Sequence, residues 1–126
     1  MLQKRYRLKR RNDFRRVFRT GTSVANRQFV LYVYDRGNDE PMRVGVSVSR
    51  KVGNAVTRNR IRRLIKEVVR RWVDSLPNGV DLIIIARAPA AKMDYHQVKS
   101  SLRHVFSRAK LLSKPVVSEK ERGGSG

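Results

Sequence analysis

The chain has 126 residues, enough for one domain around a single core, and its 40% hydrophobic and 32% charged residues suit a folding sequence. Lys and Arg number 30 against 10 Asp and Glu, a formal charge of +20, which opposes compaction and implies a polyanionic partner, nucleic acid before an anionic membrane surface. The absence of cysteine excludes a disulfide framework and a thiolate zinc site; no apolar run is long enough to span a bilayer or to follow the basic N-terminus as a signal-peptide core, so a cytoplasmic location is expected.

Residues 1–11 hold Lys4, Arg5, Arg7, Lys9, Arg10 and Arg11 and no acid. Asn12 is the expected N-cap of a short helix, with Asp13 in its first turn and Gly21 at the C′ position. Phe14, Val17 and Phe18 share one side of it. Phe14 and Phe18 lie one turn apart, and either both anchor the core or one edge of the pair stays exposed.

Residues 27–35, RQFVLYVYD, are rich in strand formers. Alternation places Phe29, Leu31 and Val33 on one side, and Val30, Tyr32 and Tyr34 on the other. Gly37, Asn38 and Pro41 mark a turn. In RVGVSVSRK, Val44, Val46 and Val48 face a core while Gly45, Ser47 and Ser49 face away. A low face of Gly and Ser beside Tyr either receives an extended strand of nucleic acid, with a ring for stacking, or simply faces water.

Residues 51–72 read KVGNAVTRNRIRRLIKEVVRRW. Ile61, Leu64, Ile65, Val68, Val69 and Trp72 recur at helical spacing, and Asn59, Arg60, Arg62, Arg63, Lys66, Arg70 and Arg71 fall on the opposite arc. Asn54 and Thr57 both suit the N-cap. Arg58 and Arg60 are expected in the opening turn, where the positive end of a helix favours acids, and no acid occurs between Glu40 and Glu67. Cations crowded there repel one another unless an outside anion joins them; a phosphate would do so. The alternative is a basic face that meets only water.

Pro77, Asn78 and Gly79 break the chain before VDLIIIAR, a continuous apolar run that reads as a central strand covered on both sides. Asp94 with Gln97 forms a capping box for a last helix, whose inner stripe is Val98, Leu102, Val105, Phe106 and Ala109. His96 and His104 are read as surface or boundary residues without a metal role. Residues 113–126 are expected to be a flexible tail, leaving 1–112 as the single domain. The order of helix, strands, helix, strand, helix is that of an α+β sandwich.

Catalytic groups are not apparent. The ten acids are scattered, no pair suits metal-assisted hydrolysis, and neither a phosphate-cradling Gly loop nor a nucleophile elbow is present. The chain reads as a binder of nucleic acid.

The run GNAVTRNRIRRLIKE resembles the signature of the bacterial ribonuclease P protein subunit, an Arg-Asn-Arg core followed by basic residues along a helix. NDFRRVFRTGTSVANRQFVLY resembles that family's first helix and first long strand, RVGVSVSRKVGNAV the strand leading into the motif, and DLIIIAR the strand after it. The likeness spans roughly residues 4–112. Some Lys positions appear here as Arg, which keeps charge and favours forked phosphate contacts.

The resemblance implies an α-β-β-β-α-β-α sandwich of the ribosomal protein S5 domain 2-like kind. It has a four-stranded sheet, a short extra strand near Thr22–Ala25 and a left-handed βαβ crossover, against the usual rule. It implies an accessory subunit of an endoribonuclease whose catalyst is RNA, with no catalytic or metal-binding residue in the protein and Mg2+ held mainly by the RNA. The implied partners are the catalytic RNA, one protein per RNA, and the 5′ leader of precursor tRNA, with no role for DNA or membrane. Arg50, Lys51, Arg58, Asn59, Arg60, Arg62, Arg63, Lys66 and Arg70 map to the catalytic-RNA surface. Phe14, Phe18 and Tyr32, with Ser47 and Ser49 as floor, map to a cleft for the leader. The competing readings are a ribosomal-type RNA-binding protein without a role in cleavage, and a DNA-binding protein that lays the basic helix in a major groove.

Overall fold

The computed structural model describes residues 2–112; the expected tail lies outside them. The elements are α1 (Arg11–Thr20), β1 (Thr22–Ala25), β2 (Phe29–Asp35), β3 (Arg43–Val48), α2 (Ala55–Arg70), β4 (Val80–Ala86) and α3 (Tyr95–Arg108), joined by loops and short 3-10 turns. This is the expected α-β-β-β-α-β-α order, with the short strand at Thr22–Ala25.

The four strands form one sheet in the order β1-β2-β4-β3. β4 runs antiparallel to β2 and parallel to β3. A parallel neighbour requires a long crossover, which α2 supplies. β4 is central because every residue from Val80 to Ile84 is buried, the two faces being covered by different helices.

Strand alternation separates two apolar layers. Phe29, Leu31, Leu82, Ile84, Val44 and Val48 join Ile61, Ile65, Val68 and Val69 of α2 and Val98, Leu102, Val105 and Phe106 of α3. Trp72 meets Phe106 edge-on at 5.3 Å, a contact worth about 0.5–1.5 kcal/mol beyond burial. On the other face Val17 of α1 and Leu8 pack on Ile83, with Phe14, Tyr32, Tyr34 and Ile85 around them.

Several sequence expectations need correction. α1 begins at Arg11, so Asn12 lies inside its first turn, and Arg10 is the N-cap without a side-chain bond. Gly21 is the C-cap with extended backbone (φ −76°), not a left-handed C′ residue. A glycine suits it because a Cβ would stand 2.6 Å from the Val17 and Val33 carbonyl oxygens. β2 starts at Phe29, two residues after the predicted strand. Asn54, not Thr57, caps α2, its Oδ1 accepting the Thr57 N–H at 3.0 Å. Asp94 and Gln97 form the capping box expected of α3.

The basic N-terminus is built into the fold. Leu2 and Leu8 are buried, and the Leu8 N–H donates to the Val44 carbonyl at 2.9 Å. Arg7 bridges Val44 in parallel, so residues 7–8 extend the sheet along part of the β3 edge.

Candidate nucleic-acid interface

Two distinct surfaces emerge. The first is the outer arc of α2. Its apolar stripe is anchored in the core, which forces the cations between those anchors outward. Asn59, Arg62, Arg63, Lys66 and Glu67 line a depression of about 490 Å³ with Arg7 from the N-terminal segment. Arg7 is held there by its Nε donating to the Leu2 carbonyl at 2.9 Å. Asn59 accepts from Arg62 at 2.7 Å, aligning that guanidinium. Burial, then the neighbouring charges of Arg7 and Arg62, pushes the Lys66 ammonium below its ordinary value. Such crowding is relieved by an anion.

The other expected RNA-contacting residues differ in status. Arg58 donates its Nε to the Gly53 carbonyl at 3.1 Å, closing the turn before the helix. Arg60 does not lie in the opening turn, because the helix starts at Ala55; its Nη2 donates to the Met93 carbonyl at 2.7 Å and ties α2 to the turn before α3. Arg70 is paired with Glu67, whose carboxylate lifts the guanidinium above its ordinary value and is itself held low by it. Arg50 and Lys51 are exposed on the short turn after β3. Val56 is 77% exposed in the first turn of α2, an apolar side chain facing outward. Its position at i−2 from Arg58 gave no periodic signal.

The second surface is a trough beside α1, on the opposite face of the sheet from α2. Register defines three rows of side chains beneath it: Tyr34–Asp81–Arg43, Tyr32–Ile83–Gly45 and Val30–Ile85–Ser47. α1 crosses the first two. Asp13 reaches Arg43, Phe14 lies on Gly45, and Phe18 meets Tyr32 edge-on at 4.9 Å and 81°. The third row stays partly open, with Ser47 exposed and Val30 and Ile85 half-buried. Phe14 is half-buried and Phe18 is 45% exposed, so the first is a seat and the second presents a ring to solvent. Gly45 is therefore covered, not part of an open face as the alternation suggested. Ser49 is half-buried and its Oγ accepts the Lys51 N–H at 3.2 Å.

Sequence reading missed the charges at the end of this trough. Asp81 is fully buried and bound side-on by Arg43, whose Nε and Nη2 donate at 2.9 and 2.8 Å. Arg36 approaches the same carboxylate at 3.3 Å. Arg43 also reaches Asp13 at 3.4 Å, and Arg16 does so at 3.3 Å. The bond to Asp81 raises the Arg43 pKa against the effect of burial. These carboxylates are occupied by guanidinium groups and do not fit a divalent cation. Among the described residues no cluster of three or more His, Asp or Glu forms, and His96 and His104 are exposed. No described helix is long and apolar enough to cross a membrane.

Comparison with known proteins places the fold and the family. The family model described as Ribonuclease P matches residues 2–110. The ribonuclease P protein component of Halalkalibacterium halodurans is 49% identical over 94% of this chain and 100% of its own length. That of Bacillus velezensis is 50% identical over 90% of this chain and 97% of its own. The solved RNase P protein of Staphylococcus aureus superposes with a TM-score of 0.80 at 44% identity, covering 86% of this chain and 98% of the other. With the family matched across nearly all the described residues, on a fold that closely superposes, the chain belongs to the ribonuclease P protein family.

Proposed function

We propose that the chain is the RNA-binding protein subunit of a ribonuclease P that works in the cytoplasm. It assists a catalytic RNA in the endonucleolytic removal of the 5′ leader from precursor tRNA, one protein per RNA. The observation that carries this reading is the separation of two unlike surfaces by one sheet. Cations dominate the outer arc of α2, whereas rings and small polar groups line the trough beside α1. On this reading Arg62, Arg63 and Lys66, with Arg7 and Asn59, bind phosphates of the catalytic RNA; Arg50, Lys51 and Arg58 extend that surface. Such contacts release counterions and fall off with salt.

Phe18 and Tyr32, over the row ending in Ser47, hold the leader. Ring stacking suits a strand of varying sequence, at about 1–3 kcal/mol per base. Mg2+ is held mainly by the RNA, and supplies the charge stabilisation that phosphodiester hydrolysis requires. The protein's part is to bind, align and neutralise.

The test is reconstitution with a bacterial catalytic RNA at low Mg2+, following 5′ cleavage of precursor tRNA. The protein is expected to restore cleavage. RNA binding without stimulated cleavage would leave a ribosomal-type RNA-binding protein as the better reading.

A further inference from the structure

We propose that Asp13 is a positioning residue for the leader trough: through Arg43, anchored on buried Asp81, it fixes the height and tilt of α1, and with them the place of Phe18. The inference rests on the reading of the trough as the leader site.

The geometry is that of a clamp across three elements. Arg43 commits Nε and Nη2 to Asp81 of β4 and has Nη1 left for Asp13 of α1. Asp81 has no solvent exposure and holds the Arg43 guanidinium by two hydrogen bonds, which orients it. Arg43 and Gly45 lie two residues apart on the same face of β3. Asp13 above Arg43 and Phe14 above Gly45 therefore fasten the first turn of α1 at adjacent points. Val17 seats the middle of the helix on Ile83, so the contacts at Asp13 and Phe14 set the tilt of α1 about that point, and with it the place of Phe18, which meets Tyr32 at 4.9 Å. Asp13 itself is 8% exposed and its two oxygens face Arg16 and Arg43. It is placed to act on the trough through α1 rather than by touching a strand lying in it. The negative carboxylate next to a polyanion's path makes sense as an anchor and not as a contact.

The experiment measures binding of precursor and mature tRNA by the reconstituted holoenzyme, with Asp13→Asn, Asp13→Glu, Phe18→Ala and the Asp13→Asn/Phe18→Ala double variant. Thermal melts of each protein fix a temperature at which all are folded. Asp13→Asn is expected to weaken precursor tRNA on the order of three- to tenfold and mature tRNA not at all. Asp13→Glu, which keeps the charge, should retain most of the preference. In the Phe18→Ala background the Asn substitution should add nothing, because the ring it positions is gone. Equal losses for both tRNAs, no loss for either, or losses that add in the double variant would overturn the clamp. Phe18→Ala reports separately on the trough. If it leaves the preference for precursor intact, the leader reading itself fails.

Discussion

Arg60 and Arg63 lie three residues apart on α2 and have different work. The Arg60 guanidinium is committed to the Met93 carbonyl, whereas Arg63 is exposed and lines the depression with Lys66. Arg60→Ala should therefore lower the stability of the free protein by about 1.5–3 kcal/mol, the usual cost of a charge-assisted bond, measured by urea unfolding. Arg63→Ala should leave that stability unchanged and reduce the magnitude of the salt slope of RNA binding by about 0.9, the share of one phosphate. Lys66 adds a pH dependence. Its pKa is lower in the folded chain than the ordinary 10.5, so between the depressed value and 10.5 the unfolded state binds more protons. Stability gains a component that rises with pH across that window. Lys66→Met should flatten this component and weaken RNA binding, with unfolding midpoints against pH as the check. A phosphate beside Lys66 favours its ammonium form. RNA affinity should therefore fall as pH climbs through the depressed value.

The elements that define the sheet and the basic helix were legible because their signals are local. The apolar run of β4, the stripe of α2 and the Asp94–Gln97 capping box each occupy one stretch of chain. What could not be read joins distant positions. Arg43 meets Asp81 and Asp13 across separations of 38 and 30 residues, and no periodicity announces such pairs. Leu2 and Leu8 were hidden for another reason: single apolar residues in a basic run look like solvent-facing chain until β3 provides an edge for them. Gly45 was read as open surface because alternation gives the face of a residue but not what lies on it. It is instead the seat of α1, and a Cβ there would overlap the Phe14 ring. Gly45→Ala should destabilise the protein by about 1–3 kcal/mol through overpacking. It should also lift Phe14, so that any surviving folded protein loses affinity for precursor tRNA more than for mature tRNA. Ser47→Ala, two residues on in the same strand and exposed, should leave stability within about 0.5 kcal/mol of the parent and serves as the control for the stability measurement alone.

At the scale of the whole molecule, the formal charge of +20 acts in opposite directions on folding and on binding. In the free chain, like charges converge in places such as the Arg7–Arg62–Lys66 depression, and their repulsion opposes compaction. Salt screens that repulsion, since exposed charges interact over a Debye length of only about 10 Å at 0.1 M. The melting temperature of the free protein should therefore rise as monovalent salt is added. Binding to RNA follows the reverse course. With about six phosphates neutralised by the α2 surface and Arg7, log affinity should fall with log salt at a slope of about −5, roughly a thousandfold between about 50 and 200 mM. The two trends separate this protein from a basic domain held together by surface ion pairs, which salt would weaken in both respects. Calorimetric melts and RNA titrations over one salt series make the comparison. A melting temperature that falls with salt would mean that the few ion pairs outweigh the net repulsion. A flat binding slope would mean that the arc of α2 meets water rather than phosphate.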